Sequence, residues 1–332
     1  MQSRYEECVL ISKGLHFPGA GMVDNTALFV LIPAVSKALH VSVAAAYDLT
    51  EGSLLVLSAL IGALAIRKWS VRLVFFFFLA VGMTAIASDA YAFQAFPAIA
   101  GIPWLVRLSH DRKRLVIVWV VLAVAAGLCD LVRFHAGLPY IAMMVVMAFI
   151  HFPKVKAVAL TLAITCLYLL PSVWFYRIYP LKHPDWHSVY IGLGWIPNSE
   201  VAAYQDHIGG DKVKSIDPSV VFGSPQYEAI LRGELLKITK HKPWIIAGNL
   251  LAKTVAILFM LGILLVPVWK HLRFDLPFIV AIALGVLPGI LVTPNPRYIL
   301  AGLCVACFLA ARTAIWSAPE EQTAQTAAVA QG

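Results

Sequence analysis

The 332-residue sequence contains few charged residues. Asp, Glu, Lys and Arg make up 13% of the chain, whereas hydrophobic residues make up 60%. Soluble globular domains carry about 25% charged and 45–50% apolar residues, so this composition excludes an ordinary soluble domain. The sequence predicts an all-α polytopic membrane protein.

Several chemical motifs are also missing. Of the five cysteines, Cys304 and Cys307 are spaced C-x-x-C, but they lie within an apolar run on one helical face, which is more typical of packing than of a metal or redox site. Gly192 and Gly194 are not followed by a phosphate-binding loop pattern, and no Ser-His-Asp hydrolase elbow occurs. The net charge of +8 comes from Lys and Arg clusters between apolar runs, which is typical of membrane orientation signals. We therefore expect no nucleic-acid partner and no nucleotide-binding loop.

Long apolar runs predict about nine transmembrane helices. A helix that crosses a bilayer needs about 20 apolar residues, and several runs approach that length. The apolar stretch at 26–39 is shorter and contains Pro33 and Lys37, so we interpret it as an interfacial or re-entrant helix. The predicted spans are residues 49–66, 73–88, 92–107, 115–131, 137–152, 156–176, 244–268, 275–293 and 297–316.

The linkers predict the orientation of these spans. Lys and Arg cluster on alternate linkers, at 67–72, 107–114, 154–156 and 270–273. Such clusters mark the cytoplasmic side, so the long polar segment 177–243 is predicted to be extracytoplasmic. The predicted organisation is an extracytoplasmic arm with an interfacial helix (1–42), transmembrane helices (43–176), an extracytoplasmic loop domain (177–243), transmembrane helices (244–316) and a disordered cytoplasmic tail (317–332).

The segment 177–243 is the one long stretch with the composition of a soluble protein, and it closes on a helix-like run at 224–241. Its start is rich in histidine, acid and tryptophan. Alternate residues of an extended segment share one face, so the histidines and the acid would point the same way. Aromatic rings stack on sugars or lie in the interfacial belt. The predicted substrate-binding residues of the loop are His183, Asp185, Trp186 and His187.

Two other roles for these loop residues stay open. His187 and Asp185 can pair with each other and simply order the loop. Asp206 and His207 can complete a divalent metal site with them, although the spacing is not that of a zinc motif. We expect no resident metal or other cofactor.

Several short motifs together resemble one superfamily of membrane enzymes. Residues 127–133 form a Gly-Leu-x-x-Leu-x-Arg corner, with Phe134 where proline is usual. Residues 88–91 pair a serine with an acid at the start of a span, and 296–298 place Arg-Tyr at the start of a late span. Residues 183–194 are similar to a loop motif of bacterial members related to protein O-mannosyltransferases and lipid A aminoarabinose transferases. The chain thus resembles the C-type glycosyltransferases, which have the GT-C fold.

The resemblance implies a glycosyltransferase of the bacterial inner membrane. Enzymes of this superfamily take a sugar from a polyprenyl-phosphate donor at the extracytoplasmic face. The implied partners are a polyprenyl-phosphate-linked sugar, a lipid, glycan or protein acceptor, and membrane lipid. The chain is short for the superfamily, so we expect a short or N-terminally truncated member.

The chemistry of sugar transfer selects the catalytic residues. Transfer from a phosphate-linked donor needs a carboxylate near the acceptor hydroxyl and cations near the departing phosphate. We predict Asp89, Glu6 and Glu7 as the catalytic carboxylates. Their alternative roles are a helix cap for Asp89 and a solvated charge pair for the two glutamates.

The predicted donor phosphate-binding residues lie at span ends on the outer side. Arg133 and Arg297 offer planar forks of donors that match phosphate oxygens, and Tyr298 follows the second of them. Snorkelling of the arginines toward lipid headgroups is the alternative.

Two further functional classes are compatible with the sequence. A catalytically inactive GT-C-like protein would bind lipid or act as an assembly partner. A transporter or flippase of lipid-linked sugars would place its ionisable residues in mid-span, often in repeated broken helices. Here the polar residues gather at one face and no internal repeat is seen, which favours an interfacial active site.

Overall fold

The computed structural model describes a helical protein. All regular secondary structure within the described residues is helical. The described residues are 26–66, 72, 90–109, 111–133, 135–178, 185–266 and 275–316. Outside them lie the predicted catalytic residues Glu6, Glu7 and Asp89, the loop residue His183, the predicted span 73–88 and the tail 317–332.

The described residues contain α-helices and two short 3₁₀ helices, Ala90–Gln94 and Leu193–Trp195. The α-helices are α1 (Thr26–Leu39), α2 (Val43–Ala65), α3 (Phe96–Arg107), α4 (Arg112–Val132), α5 (Leu138–His151), α6 (Lys154–Ile178), α7 (Asp185–Gly192), α8 (Asp206–Ile216), α9 (Pro225–His241), α10 (Pro243–Leu265), α11 (Leu276–Leu291) and α12 (Leu300–Trp316).

Proline and polar caps explain where many of these helices begin. Proline fits the first helical turn, where its missing N–H is not needed. The hydroxyl of Ser224 accepts the Tyr227 N–H at 3.2 Å and caps α9, so the predicted helix at 224–241 is confirmed. Proline stands in the first turn of α3, α5, α9, α10 and α11, at Pro97, Pro139, Pro225, Pro243 and Pro277.

The lengths and apolar surfaces of the helices identify a multi-pass membrane protein. Four helices of the described residues, α2, α4, α6 and α10, are long and apolar enough to cross a membrane. At about 1.5 Å per residue they match a hydrocarbon core of about 30 Å. Every predicted span within the described residues has a helix at its position, although some are short, and the total of nine spans stays a prediction. A helix also forms at 26–39, where an interfacial or re-entrant one was predicted.

Small residues let the membrane helices approach closely, as is usual in lipid. The main core joins α1 to α6 with α11 and α12, and Trp119, Tyr140 and Met143 are fully buried in it. At the crossing of α11 and α12, a Cβ on Gly285 would lie 2.5 Å from the Gly302 backbone nitrogen. The two backbones are therefore in direct contact at this point.

Gly285→Ala should destabilise the protein, because the added methyl group forces α11 and α12 apart. We expect a loss of about 1–3 kcal/mol, as for other overpacked sites. Gly262→Ala in α10 is the matched control, since nothing lies within 4 Å of its Cβ position. Thermal unfolding in detergent measures both. Equal melting temperatures for the two variants would contradict the close packing of α11 on α12.

Chain direction separates two ends of the bundle. A Cβ on Gly127 of α4 would meet the Tyr168 carbonyl of α6, and the guanidinium carbon of Arg112 at the start of α4 lies 5.8 Å from the ring centre of Phe152 just before α6, so the two helices are parallel. Their N-termini, with Arg112 and Lys154, form what we call the basic end. Arg133, which follows α4, lies at the opposite end, and we call this the loop end.

Helices α7, α8 and α9 form a small unit with a core of its own at the loop end. Tyr190, Val213 and Leu231 are among its buried residues. The Asn249 side-chain amide of α10 donates to the Leu193 carbonyl at 2.6 Å and ties this unit to the membrane helices. A Cβ on Gly192 would lie 2.7 Å from the Val292 carbonyl, so α7 also rests directly on the end of α11.

Candidate functional site

A cavity of about 390 Å³ opens at the loop end, between α5, α7, α11 and α12. This volume lies within the range of small-molecule sites. Its apolar wall comes mainly from α5 and α11, and its polar groups come from four different chain segments. The polar and aromatic lining residues are Gln94, Arg133, His135, Asp185, Ser188 and Tyr298.

Arg133 is the charged side chain most deeply placed in this lining. Only 9% of its surface is exposed. Its guanidinium carbon lies 5.1 Å from the centre of the Tyr298 ring, which fits a cation–π contact. The structure thus brings together two of the three residues predicted to hold the donor phosphate.

The corner that presents Arg133 is fixed by hydrogen bonds on both sides. The Asp130 carboxylate of α4 accepts the Gly137 N–H at 2.6 Å and also accepts the Tyr168 hydroxyl from α6. Within the corner, the Ala136 N–H donates to the Arg133 carbonyl at 3.0 Å. The turn from α4 to α5 is therefore tied to three helices.

The third predicted phosphate residue lies outside the cavity lining. Arg297 is exposed, and its backbone N–H donates to the Asn295 side chain at 3.0 Å. Its carbonyl accepts the Gln94 side-chain amide at 3.3 Å, so its backbone supports a lining residue. The adjacent Tyr298 hydroxyl lies 3.0 Å from that of Tyr204, which joins the cavity rim to the loop unit.

Helix α7 separates the predicted loop residues instead of grouping them. The expectation that Asp185 and His187 share a face of an extended segment is wrong, because α7 begins at Asp185 and helical neighbours two apart point in nearly opposite directions. Asp185 lines the cavity together with Ser188. His187 faces the core of the loop unit and is only 5% exposed.

The buried histidine has a hydrogen-bond partner on one ring nitrogen and a carboxylate nearby on the side of the other. Its Nδ1 lies 2.7 Å from the Tyr227 hydroxyl, and its Nε2 lies 3.8 Å from the carboxylate of Asp206. A Cβ on Gly209 would come within 2.7 Å of Nδ1, so the small glycine makes room for the ring. These contacts favour a role for His187 in ordering the loop. Its neighbours in this role are Tyr227 and Asp206, and not Asp185 as the alternative had it.

Trp186 packs away from the cavity as well. Its backbone N–H donates to the Glu228 carboxylate of α9 at 2.7 Å, and the Arg232 guanidinium carbon lies 5.8 Å from its ring centre. Burial raises the pKa of the Glu228 carboxyl, and the hydrogen bond from the Trp186 backbone opposes that rise. Burial likewise raises the pKa of the Tyr227 hydroxyl. Both groups hold α7 against α9.

The metal alternative gains no support from the described part of the chain. No three His, Cys, Asp or Glu side chains within the described residues come close enough to hold one ion. Asp185 and His187 lie on opposite sides of α7, which separates two members of the suggested ligand set.

Sequence reasoning missed three polar lining residues, Gln94, His135 and Ser188. Gln94 and Ser188 stand in no recognisable motif. His135 carries one signal: it follows the arginine corner and lies two residues before a glycine, at a position where the chain must turn. Comparison of the chain with protein-family models, with curated proteins and with solved structures gave no match.

Proposed function

We propose that this chain is a GT-C-like glycosyltransferase that moves a sugar from a polyprenyl-phosphate donor to an acceptor. The observation that carries the proposal is the buried Arg133 guanidinium at the rim of a largely apolar cavity. Arginine binds phosphate oxygens through its planar fork of N–H donors. The donor phosphate would lie against Arg133 and Tyr298.

The apolar wall suits the isoprenoid part of such a donor. Leu284, Leu287 and Leu291 of α11 line the cavity, and this helix is one of the shorter apolar ones. The outer surfaces of the neighbouring long helices are rich in exposed apolar side chains, for example Leu258 and Phe259 of α10. A chain that leaves the cavity along α5 and α11 would stay in apolar surroundings.

The charge distribution supports an extracytoplasmic position for this cavity. Arg107, Arg112 and Lys154 gather at the basic end of the bundle, opposite Arg133 and the loop unit. Positive residues mark the cytoplasmic side of membrane proteins. In a bacterial inner membrane, the cavity and residues 177–243 would then face the periplasmic side.

The proposed reaction needs a carboxylate as well as a cation. Sugar transfer breaks the bond from C1 to the phosphate oxygen and forms a bond from C1 to the acceptor oxygen, whose proton passes to a base. Arg133 would stabilise the negative charge left on the phosphate. Asp89, Glu6 and Glu7 stay our predicted carboxylates, and Asp185 lines the cavity where an acceptor would enter.

A non-catalytic lipid-binding or assembly partner is the second candidate function. The same cavity would serve it, since a bound lipid phosphate needs Arg133 but no base. Transport of a lipid-linked sugar would require polar groups along a path through the bundle. The polar residues that line the described cavity instead lie together at the loop end.

The first test is binding of the donor. Arg133→Ala should weaken binding of a synthetic polyprenyl-phosphoryl sugar by roughly 1.5–3 kcal/mol, which is about tenfold to 150-fold, because one charge-assisted contact is lost. Arg297→Ala is the matched control and should have a smaller effect, since Arg297 is exposed outside the cavity lining. Titration of the purified protein in nanodiscs measures both. Unchanged affinity in folded Arg133→Ala protein would overturn the phosphate site.

The second test concerns the side of the membrane. Ser219→Cys, after replacement of the native cysteines, should react with a membrane-impermeant thiol reagent in intact spheroplasts, because Ser219 is exposed on the loop unit. Lys113→Cys at the basic end is the control and should react only after permeabilisation. The reverse pattern would place the cavity on the cytoplasmic side.

The third test separates the enzyme from the inactive partner. Asp89→Asn, or Glu6→Gln combined with Glu7→Gln, should lower transfer of radiolabelled sugar by about 10²–10⁴-fold, the usual loss for a general base. Purified wild type and variants are compared with one donor in nanodiscs. Full activity in both variants would refute these carboxylates. Lipid binding by wild type without transfer from any donor would favour the binding partner.

A further inference from the structure

The backbone of the α4–α5 corner is strained at a residue that lines the cavity. His135 has a φ of 65°, in the left-handed region that side chains other than glycine seldom adopt. It is the third residue of the turn that the hydrogen bond from Ala136 N–H to the Arg133 carbonyl closes. Turns with a positive φ at this position usually carry glycine or asparagine there. The turn itself therefore gives no reason for a histidine at this position.

The backbone at this strained position is fixed by contacts of a residue that follows it in the chain. Gly137, two residues on, donates its N–H to the Asp130 carboxylate, and a Cβ on Gly137 would lie 2.4 Å from the Ala126 carbonyl. This close approach leaves the corner little freedom to relax. Strained residues that a structure holds in place are enriched at functional sites. The strain coincides here with the cavity that contains Arg133.

The side chain of His135 is accessible within this cavity. It is exposed, whereas Arg133 beside it in the turn is buried, and both line the same space. Imidazole gains a proton between about pH 8 and pH 5 and then donates from both nitrogens. A phosphate placed against Arg133 would meet that imidazolium across the turn.

We propose that His135 is a second, titratable cation of the phosphate site, which strengthens donor binding as the pH falls. This inference rests on the proposed function, because it assigns His135 to the same lipid phosphate as Arg133. The charged and titratable groups around it are Arg133 of its own turn, Asp185 of α7 and Tyr298 before α12, which line the same cavity, and Asp130 of α4, which accepts the Gly137 N–H of the corner. Arg133 opposes protonation of the imidazole, and the two carboxylates and a bound phosphate favour it.

The experiment measures binding of farnesyl-phosphoryl-hexose between pH 5.5 and pH 8. This probe is a phosphodiester without a titratable group in that range, so its own charge is constant. Wild type should bind it about five- to tenfold more tightly at pH 5.5 than at pH 8. His135→Asn should vary less than twofold, because asparagine tolerates the left-handed backbone but carries no charge.

Two glycine variants separate ligand binding from backbone strain. His135→Gly should lose the pH dependence while its melting temperature stays equal or rises, since glycine adopts this φ without strain. His40, between α1 and α2, has a φ of 54° and lies outside the cavity lining. His40→Gly is the matched control: it should also stay equal or rise in melting temperature, but keep the wild-type pH dependence.

The outcomes distinguish this inference from the proposed function. Arg133-dependent binding with the wild-type pH dependence retained in His135→Asn would overturn the role of His135 alone. Wild type that binds no probe, or binds it independently of Arg133, would overturn the phosphate site and the role of His135 with it. Failure of both His135 variants to fold would also overturn the inference, because it would make the histidine a structural requirement of the turn.

Discussion

The geometry of the candidate site depends on one carboxylate, that of Asp130. It accepts the Gly137 N–H at the start of α5 and the hydroxyl of Tyr168 in α6, so three helices meet at one side chain. Hydrogen bonds to an ionised acceptor are stronger than neutral ones, and a poorly solvated setting strengthens them further. The corner that carries Arg133 and His135 is consequently fixed relative to the bundle and not only to its own helix.

Helix α7 belongs both to the lining of this cavity and to the core of the loop unit. One face, with Asp185 and Ser188, lines the cavity, and the other, with His187, belongs to the core of α7, α8 and α9. The contact of Gly192 with the end of α11 determines the position of α7 relative to α11. The position of the Asp185 carboxylate at the cavity is thus a consequence of packing within the loop unit and against α11.

Composition and apolar runs were sufficient to predict a helical membrane protein, and Ser224 with Pro225 marked the start of α9. The grouping of the loop residues could not be predicted in the same way. Asp185 begins a helix whose first turn is held by a residue distant in sequence, since the Glu228 carboxylate, more than 40 positions away, accepts the Trp186 N–H. The alternating histidines and acid predicted an extended segment, because the contact between α7 and α9 cannot be recognised from the local sequence. Motif resemblance did select Arg133 and Tyr298, which the structure brings together, but it gave no reason to place Arg297 outside the cavity lining.

The character of the ligand follows from the two kinds of surface in the cavity. A neutral apolar ligand would fill the apolar part of the cavity but would make no charge-assisted contact with Arg133. A small free anion could contact the guanidinium but would leave the leucines of α11 in contact with water. An amphiphile with an anionic head and an apolar chain satisfies both surfaces at once. A sugar joined through phosphate to a long isoprenoid has this division of charge and apolar surface, and its polar end would lie beside Asp185, at the side of the cavity that the loop unit covers.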